Sequence, residues 1–192
     1  TTDEDYLSSF LSDAPKPAAV LVPLLRATFN QTGTQAWHLL LTRRSDRLAE
    51  HRGQVAFPGG RSDPCDPSPV ATALREAYEE IGLPSNQVKI LGQLNTLWTI
   101  TNYCITPIVA VIPWPFPIRL AEHEVSRVFI IPIYWLADPS HHEVRQRDIP
   151  SPYSLQLKTD RYPIIYFHPY DGEVLWGASA EITQNLIRLI IL

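Results

Sequence analysis

A capped amphipathic helix near the middle of the chain constrains the fold most strongly. Ser68 and Pro69 form a typical helix start, an N-cap followed by proline at the first helical position, and Gly82 is a typical C-terminal cap. Between these caps, apolar residues recur at every third or fourth position: Val70, Ala73, Leu74, Ala77 and Ile81. Because such an apolar face must be covered, the spacing predicts that helix 68–81 packs on a sheet.

Runs of β-prone apolar residues on both sides of this helix predict the sheet itself. Segments 18–29 and 37–42 flank a glycine-containing turn and predict a β-hairpin. Further strands are predicted over 54–57, 88–96, 103–112, 128–131, 154–157 and 162–167, and further helices over 3–12, over 133–137 and from Ser179 onward. Strands mixed with few helices predict an α/β (α+β) sandwich around a mixed β-sheet, folded as a single domain over 1–192.

Composition narrows the classes of partner. Hydrophobic residues make up 45% of the 192 residues, enough for a substantial core, and the formal net charge is −4. Because this charge does not attract nucleic acid or an anionic membrane, a phosphate-bearing ligand requires a local basic cluster. Two cysteines, Cys65 and Cys104, are too few for a disulfide framework or a four-cysteine zinc site. We therefore expect a cytoplasmic protein with no nucleic-acid or membrane partner.

The polar face of the predicted helix is acidic. Glu76, Glu79 and Glu80 are spaced so that their side chains converge within about one turn. Mutually repelling carboxylates with no histidine or cysteine beside them suit a hard cation, Mg²⁺ or Mn²⁺, whose other ligands come from water and substrate phosphates. The simpler alternative is a solvated helix face with Arg75 as an intrahelical partner. The glycine turn 59–60 before the helix favours the metal site, because bare backbone there can approach a metal and a phosphate.

These residues resemble the signature of a known family. Segment 59–83, GGRSDPCDPSPVATALREAYEEIGL, is similar to the signature of the Nudix hydrolases, which cleave diphosphates linked to another moiety. Its core, REAYEEIGL, matches the family pattern without a gap. Asp66 stands where the general signature has glutamate, and one extra residue lies between Asp66 and Arg75. Both departures are expected of the coenzyme A pyrophosphatase branch, whose marker motif segment 40–60, LLTRRSDRLAEHRGQVAFPGG, closely resembles.

The resemblance implies a fold, a reaction and a cofactor. The implied fold is a Nudix-type α/β/α sandwich around a mixed sheet. The implied reaction is hydrolysis of coenzyme A or a derivative to 4′-phosphopantetheine and adenosine 3′,5′-bisphosphate, with Mg²⁺ or Mn²⁺ as the cofactor. Two alternatives stay open: a Nudix hydrolase of another nucleoside diphosphate derivative, such as ADP-ribose or NADH, and a nucleotide-binding module without catalysis.

The acidic residues receive distinct predicted roles. Glu76 and Glu80 are the predicted metal ligands, with Glu79 as a third carboxylate. By resemblance, Arg75 holds these glutamates by ion pairing. Glu124, in the segment AEHEVSRV, matches the position of the general base in many family members. A loop glutamate is otherwise usually solvated, so that alternative also stays open.

Residues ahead of the helix are candidates for binding a small-molecule substrate. The predicted binding residues are Arg43, Arg44, His51, Phe57, Gly59 and Gly60. The guanidinium groups suit phosphate oxygens, and the glycines supply main-chain contacts. Phe57 either lines the path of the pantetheine arm or fills the core, and the core is the favoured alternative. The apolar end of the C-terminal helix, 189–192, needs cover from the core or from a second subunit, which leaves homodimerisation open.

Overall fold

The computed structural model describes residues 15–28, 33–48, 51–99, 102–148 and 161–190. Two predicted elements, the helix over 3–12 and the strand over 154–157, lie outside these residues. The other predicted strands and helices fall within them, so that their positions can be compared with the structure element by element.

Ten strands form two sheets in the described part of the chain. They are β1 (Lys16–Thr28), β2 (Gln35–Arg44), β3 (Val55–Ala56), β4 (Gly59–Arg61), β5 (Lys89–Gln93), β6 (Leu97–Trp98), β7 (Tyr103–Val111), β8 (Val125–Pro132), β9 (His142–Asp148) and β10 (Arg161–Phe167). The main sheet has the order β3-β2-β1-β7-β5, with β4, β6 and β8 paired to β1, β7 and β2. The β1–β7 pair is parallel and the β1–β2 hairpin is antiparallel, so the sheet is mixed, as predicted.

Within the described residues, three α-helices accompany the sheet: α1 (Pro69–Ile81), α2 (Ile133–Ala137) and α3 (Gly177–Ile190). The predicted caps of α1 are present. The Ser68 hydroxyl accepts a hydrogen bond from the main-chain N–H of Ala71 at 3.2 Å, and Gly82 adopts the left-handed conformation with φ of 73°. None of the described helices is long and apolar enough to cross a membrane.

Alternating side chains of the main sheet form a core on each face. On one face, Ala19 and Leu21 of β1 pack with Ala73 and Ala77 of α1. On the other face, Val22 and Leu24 of β1 pack with residues of α2 and α3, among them Leu136, Ala180 and Leu186. This alternation is the period-two pattern of a sheet that is covered on both sides. The layers are therefore helix, sheet and helices, which confirms the predicted α/β class.

The largest differences between the predicted and the observed strands concern β4, β9, the start of β8 and the end of the strand predicted over 88–96. Strands β4 and β9 were not predicted, because β4 begins with two glycines and β9 reads HEVRQRD, a polar run whose residues are almost all exposed. Strand β8 begins at Val125, three residues earlier than predicted. The strand predicted over 88–96 ends at Gln93, and the short β6 follows it. Strands β4 and β8 pair with the distant strands β1 and β2, and local propensity does not encode such pairing.

Candidate active site

The glycine turn lies between the sheet and helix α1. Through β4, Gly60 pairs with Ala19 and Gly59 pairs with Val20 of β1. A Cβ atom at Gly59 would lie 2.5 Å from the main-chain oxygen of Ala19, and one at Gly60 would lie 2.6 Å from the Glu76 carboxylate. Gly59 therefore requires glycine, because a side chain there would meet the backbone of the sheet, and a side chain at Gly60 would displace the Glu76 carboxylate. The turn holds bare backbone directly over the carboxylates, as the sequence suggested.

Glu80 is buried beneath this turn, with 4% of its surface exposed. Its carboxylate accepts one hydrogen bond, from the main-chain N–H of Gly59 at 3.3 Å. Burial, followed by the negative charge of Glu76, raises the pKa of Glu80 to about 8. The sequence placed this side chain on a polar helix face, whereas β4 covers that face in the structure. A buried carboxylate with one neutral donor is poorly compensated and is suited to a cation.

Glu76 lies beside Glu80, with 14% of its side chain exposed. Burial raises the pKa of Glu76, while the Arg75 guanidinium, which donates to its Oε1 at 2.8 Å, opposes that rise. Two partly or fully buried carboxylates thus sit on one turn of α1. Their charges are compensated only in part by the described side chains around them.

Arg75 is the ion-pairing centre of the site. Its Nη1 donates to Glu76 and, at 3.0 Å, to Glu79, whereas its Nε and Nη2 donate to Asp66 at 3.1 and 2.9 Å. Asp66 also accepts a hydrogen bond from the buried Thr72 hydroxyl at 2.9 Å. The bidentate guanidinium holds the pKa of Asp66 well below its usual range. Asp66 thus orients Arg75, a role that sequence reasoning missed, although its acidic character at that signature position was the available signal.

The donor set fits a hard divalent cation, although no ready-made three-residue cluster is present. Among the described residues, no three His, Cys, Asp or Glu side chains converge as a metal site. The third predicted carboxylate, Glu79, has a side chain that is 55% exposed and pairs with Arg75. The oxygen atoms of Glu76 and Glu80, together with the main chain of the glycine turn, are the ligand type that Mg²⁺ and Mn²⁺ prefer.

Glu124 lies close to the same helix. The main-chain N–H of Ala121 donates to the oxygen of Glu80 at 3.0 Å, and the N–H of Glu124 donates to the oxygen of Ala121 at 2.7 Å. The negative charge of Glu124 contributes to the raised pKa of both Glu76 and Glu80. Its side chain is 42% exposed and contacts His123 Nε2 at 3.0 Å. Glu124 is therefore both near the acidic pair and accessible to water.

Sequence comparison identifies the family to which these features belong. The model of the NUDIX domain matches residues 15–149, which include the sheet, α1 and Glu124. The chain belongs to the Nudix hydrolase family. Proteins named uncharacterized Nudix hydrolase NudL, from Yersinia pestis (strain Pestoides F) and Yersinia pseudotuberculosis serotype O:1b (strain IP 31758), are each 35% identical to it over 184 residues. Each alignment covers 95% of this chain and 84% of the relative.

Solved structures agree with this Nudix fold. A MutT/nudix family protein from Enterococcus faecalis has a TM-score of 0.56 at 15% identity, covering 100% of this chain and 70% of the other. The Nudix hydrolase RenU from M. smegmatis has a TM-score of 0.51 at 21% identity, covering 66% and 76%. At these identities the likeness concerns the fold alone.

The predicted basic residues of this Nudix hydrolase have different surroundings. The positive charge of Arg44 lowers the pKa of Glu80, and the Arg44 Nε is buried without a hydrogen-bond partner among the described residues. Arg43 instead donates both terminal nitrogens to Asp46, at 2.9 and 3.0 Å. His51 is exposed, and its Nδ1 lies 3.0 Å from the side-chain oxygen of Gln54. Of these three residues, Arg44 is the one whose charge reaches the acidic pair.

Phe57 lies in the core, with 2% of its surface exposed. It belongs to the cluster on the α2 and α3 side of the sheet, together with Val22 and Val55. This position corresponds to the core alternative that the sequence favoured for Phe57. The aromatic ring is packed among apolar side chains and does not face the acidic pair on α1.

Proposed function

We propose that this Nudix hydrolase cleaves the diphosphate bond of coenzyme A or one of its derivatives, with Mg²⁺ or Mn²⁺ as cofactor. The products are 4′-phosphopantetheine, or its acylated form, and adenosine 3′,5′-bisphosphate. The observation that carries the hydrolytic part is the buried Glu80 beside Glu76 under the glycine turn, a negative site with one main-chain donor. The coenzyme A part is supported by segment 40–60, which resembles the marker motif of that branch.

Each acidic residue has a role in this proposal. Glu76 and Glu80 hold the cation, and Glu79 is the third candidate. A bound divalent ion neutralises the diphosphate and makes the attacking water more acidic. Arg75, held by Asp66, keeps Glu76 oriented toward the turn. The carboxylates must be ionised to bind the ion, so binding releases the proton that burial favours on Glu80.

Glu124 is the proposed general base. It takes one proton from the water whose oxygen bonds to a phosphorus, while the bridging P–O bond breaks and its electron pair stays with the leaving phosphate. Partial exposure lets the base return this proton to solvent after each turnover. Arg44 and His51, both in the marker motif, are the proposed phosphate contacts. The positive charge of Arg44 lowers the pKa of Glu80, which supports this role for Arg44.

The competing substrates share the same acidic site. ADP-ribose, NADH and coenzyme A all contain a diphosphate, so the groups beyond the diphosphate separate them. In the alternative of a nucleotide-binding module, the acidic site would hold a ligand without hydrolysing it. The buried Glu76 and Glu80 favour catalysis, because a cation centre is costly to build for recognition alone.

Product analysis tests the proposal directly. The protein is incubated with coenzyme A, ADP-ribose and NADH in competition, with Mg²⁺, with Mn²⁺ and with a chelator, and the products are identified by mass spectrometry. Metal-dependent 4′-phosphopantetheine and adenosine 3′,5′-bisphosphate, formed ahead of other products, would support the coenzyme A proposal. Release of AMP from ADP-ribose and NADH instead would support the hydrolytic activity and refute coenzyme A as the substrate. Tight binding with no product would favour the non-catalytic module.

A further inference from the structure

Strand β8 begins with an irregularity beside Glu124. Arg43 of β2 pairs with Arg127, and the next residue of β2 pairs with Val125, so Ser126 is an extra residue that is skipped in the strand register. Such a β-bulge bends its strand and re-aims the side chains near it, and bulges recur next to active sites. The bulge at Ser126 therefore sets the direction of the chain at Glu124, two residues earlier.

Arg43 holds this bulge through two hydrogen bonds. The Ser126 hydroxyl donates to the main-chain oxygen of Arg43 at 3.1 Å and accepts from the Nη1 of the same residue at 3.1 Å. The Arg43 guanidinium is fixed in turn by Asp46, which accepts from both terminal nitrogens. The guanidinium group of Arg43 thus bonds to side chains of the protein, and these bonds attach Ser126 of β8 to β2.

Glu173 compensates the charges on both strands. Arg43 and Arg127 face each other in the strand register, where like charges repel. The Glu173 carboxylate lies 3.5 Å from the Nε of Arg43 and 3.3 Å from the Nη1 of Arg127. Its side chain is only 14% exposed, and Arg127 also pairs with Asp171. Glu173 therefore makes it possible for two arginines to lie side by side at the bulge.

The backbone on either side of Glu124 is anchored as well. The oxygen of Glu124 accepts from the N–H of Ser45 at 2.8 Å, and its N–H donates to Ala121, which is bonded to the main chain of Glu80. The segment is thus fixed to β2 on one side and to helix α1 on the other. A change at the bulge is transmitted to Glu124, because only Val125 separates this residue from Ser126.

We propose that Arg43 and Glu173 are positioning residues that hold the Ser126 bulge and thereby aim the Glu124 carboxylate at the acidic pair on α1. The inference rests on the proposed function, in which Glu124 is the general base. It gives Arg43 a role that differs from the substrate contact predicted from the sequence. A positioning residue affects turnover, whereas a substrate contact affects substrate binding, so kinetics separate the two roles.

The first test is kinetic and uses Glu173→Gln. Loss of the charge removes the carboxylate that Arg43 and Arg127 share and leaves each with one acidic partner, Asp46 and Asp171. We expect kcat to fall about 10- to 100-fold with KM unchanged. The matched control is Glu143→Gln, which removes the partner of Arg145 on β9 and should leave both constants unchanged. In a Glu124→Gln background, Glu173→Gln should cause no further loss, because there is no base left to aim. Equal losses in both backgrounds would overturn the inference.

Arg43→Lys provides a second variant that keeps the charge and removes the planar fork. We expect the same fall in kcat with KM unchanged, and the variant also serves if Glu173→Gln does not fold. A rise in KM with kcat unchanged would show that Arg43 contacts the substrate and would overturn the inference.

Crystal structures of the wild type and of Glu173→Gln give a readout that needs no turnover. We expect the Glu124 carboxylate to move away from Glu76 and Glu80 by about 1 Å, the scale at which misplacement impairs catalysis. An unchanged Glu124 would overturn the positioning role. A wild-type protein that hydrolyses none of the diphosphates would refute the proposed function, while these structures would still decide the positioning role.

Discussion

At Glu80, a carboxylate from the polar side of an amphipathic helix lies buried under a glycine turn. Its neighbours are another carboxylate, Glu76, and the main-chain N–H of Gly59. A protein keeps such a group only where a ligand compensates its charge or where it stays protonated. The raised pKa of Glu80 favours the protonated state when no ligand is bound. The proposed cation would compensate the charge of the ionised state.

Glu80→Gln tests this residue. We expect kcat/KM to fall at least about 100-fold, which corresponds to about 2.7 kcal/mol of transition-state stabilisation, because the amide cannot replace a charged ligand. The free energy of unfolding without metal should stay equal or increase, since a buried charge and its repulsion with Glu76 are removed. Steady-state kinetics and thermal unfolding measure the two effects. An active Glu80→Gln variant would remove Glu80 from the metal site.

At the scale of elements, strand β4 and helix α1 form the site together. The strand contributes backbone and the helix contributes carboxylates, and they meet where Gly60 lies against Glu76. The caps of α1 determine where its acidic turn lies relative to that strand. Both features are short-range in the sequence, but their contact depends on pairing between β4 and β1.

Gly60→Ala tests the contact between strand and helix. The added methyl group would lie 2.6 Å from the Glu76 carboxylate and must displace it, so Mg²⁺ affinity and kcat should both fall by more than about tenfold. The matched control is Gly92→Ala, because a Cβ there meets nothing within 4 Å. Calorimetric titration with Mg²⁺ and kinetics measure the effect. Equal Mg²⁺ affinity in both variants would show that Gly60 is not required by the site.

Ser68→Ala tests the start of helix α1. The hydroxyl satisfies the N–H of Ala71, so its removal should lower the free energy of unfolding by about 1 kcal/mol. Denaturant unfolding measures this loss, and Ser68→Asp should largely restore the stability as an alternative N-cap. If Ser68→Ala unfolds at the wild-type midpoint, the cap does not contribute to stability.

At the scale of the whole molecule, the raised pKa of Glu80 links stability to pH. The folded protein holds a proton up to about pH 8, whereas the unfolded chain releases it near the usual value for glutamate. As the pH rises from the usual pKa of glutamate to about 8, the contribution of Glu80 to the free energy of unfolding without metal therefore decreases. A bound cation removes this penalty, because it stabilises the ionised form.

Thermal unfolding with and without Mg²⁺ measures this linkage. We expect Mg²⁺ to raise the Tm more at about pH 8.5 than at about pH 5.5, since the ion has to displace the Glu80 proton at the lower pH. In Glu80→Gln the pH dependence of the Mg²⁺ effect should shrink. A Mg²⁺ effect independent of pH in the wild type would contradict the assignment of Glu80 as a ligand.

Homodimerisation stays a prediction at this scale. Leu189 and Ile190 near the end of α3 are 63% and 49% exposed, so the core of the described chain does not cover them. If a second subunit covers them, light scattering after size-exclusion chromatography will show a dimer, and a monomer would contradict homodimerisation.

Local patterns in the sequence were sufficient for several features of this protein. The caps and apolar spacing of α1, the β1–β2 hairpin and the acidic character of the helix face depend on neighbouring residues, and all three are present in the structure. Segment 59–83 predicts the family for the same reason, because a signature is a contiguous pattern, and the match of the NUDIX domain to residues 15–149 confirms it.

The tertiary structure alone decided which charged groups are buried and which are paired. Glu80 lies on a polar helix face, and only the pairing of β4 with β1 covers it. The sequence predicts that Arg43 binds substrate phosphate, but in the structure its guanidinium group donates a hydrogen bond to Ser126, 83 positions away. Burial and ion pairing depend on groups that folding brings together from distant segments, whereas periodicity and capping depend on groups within a few residues. This difference in range explains why the sequence predicted the elements but not the environment of their charges.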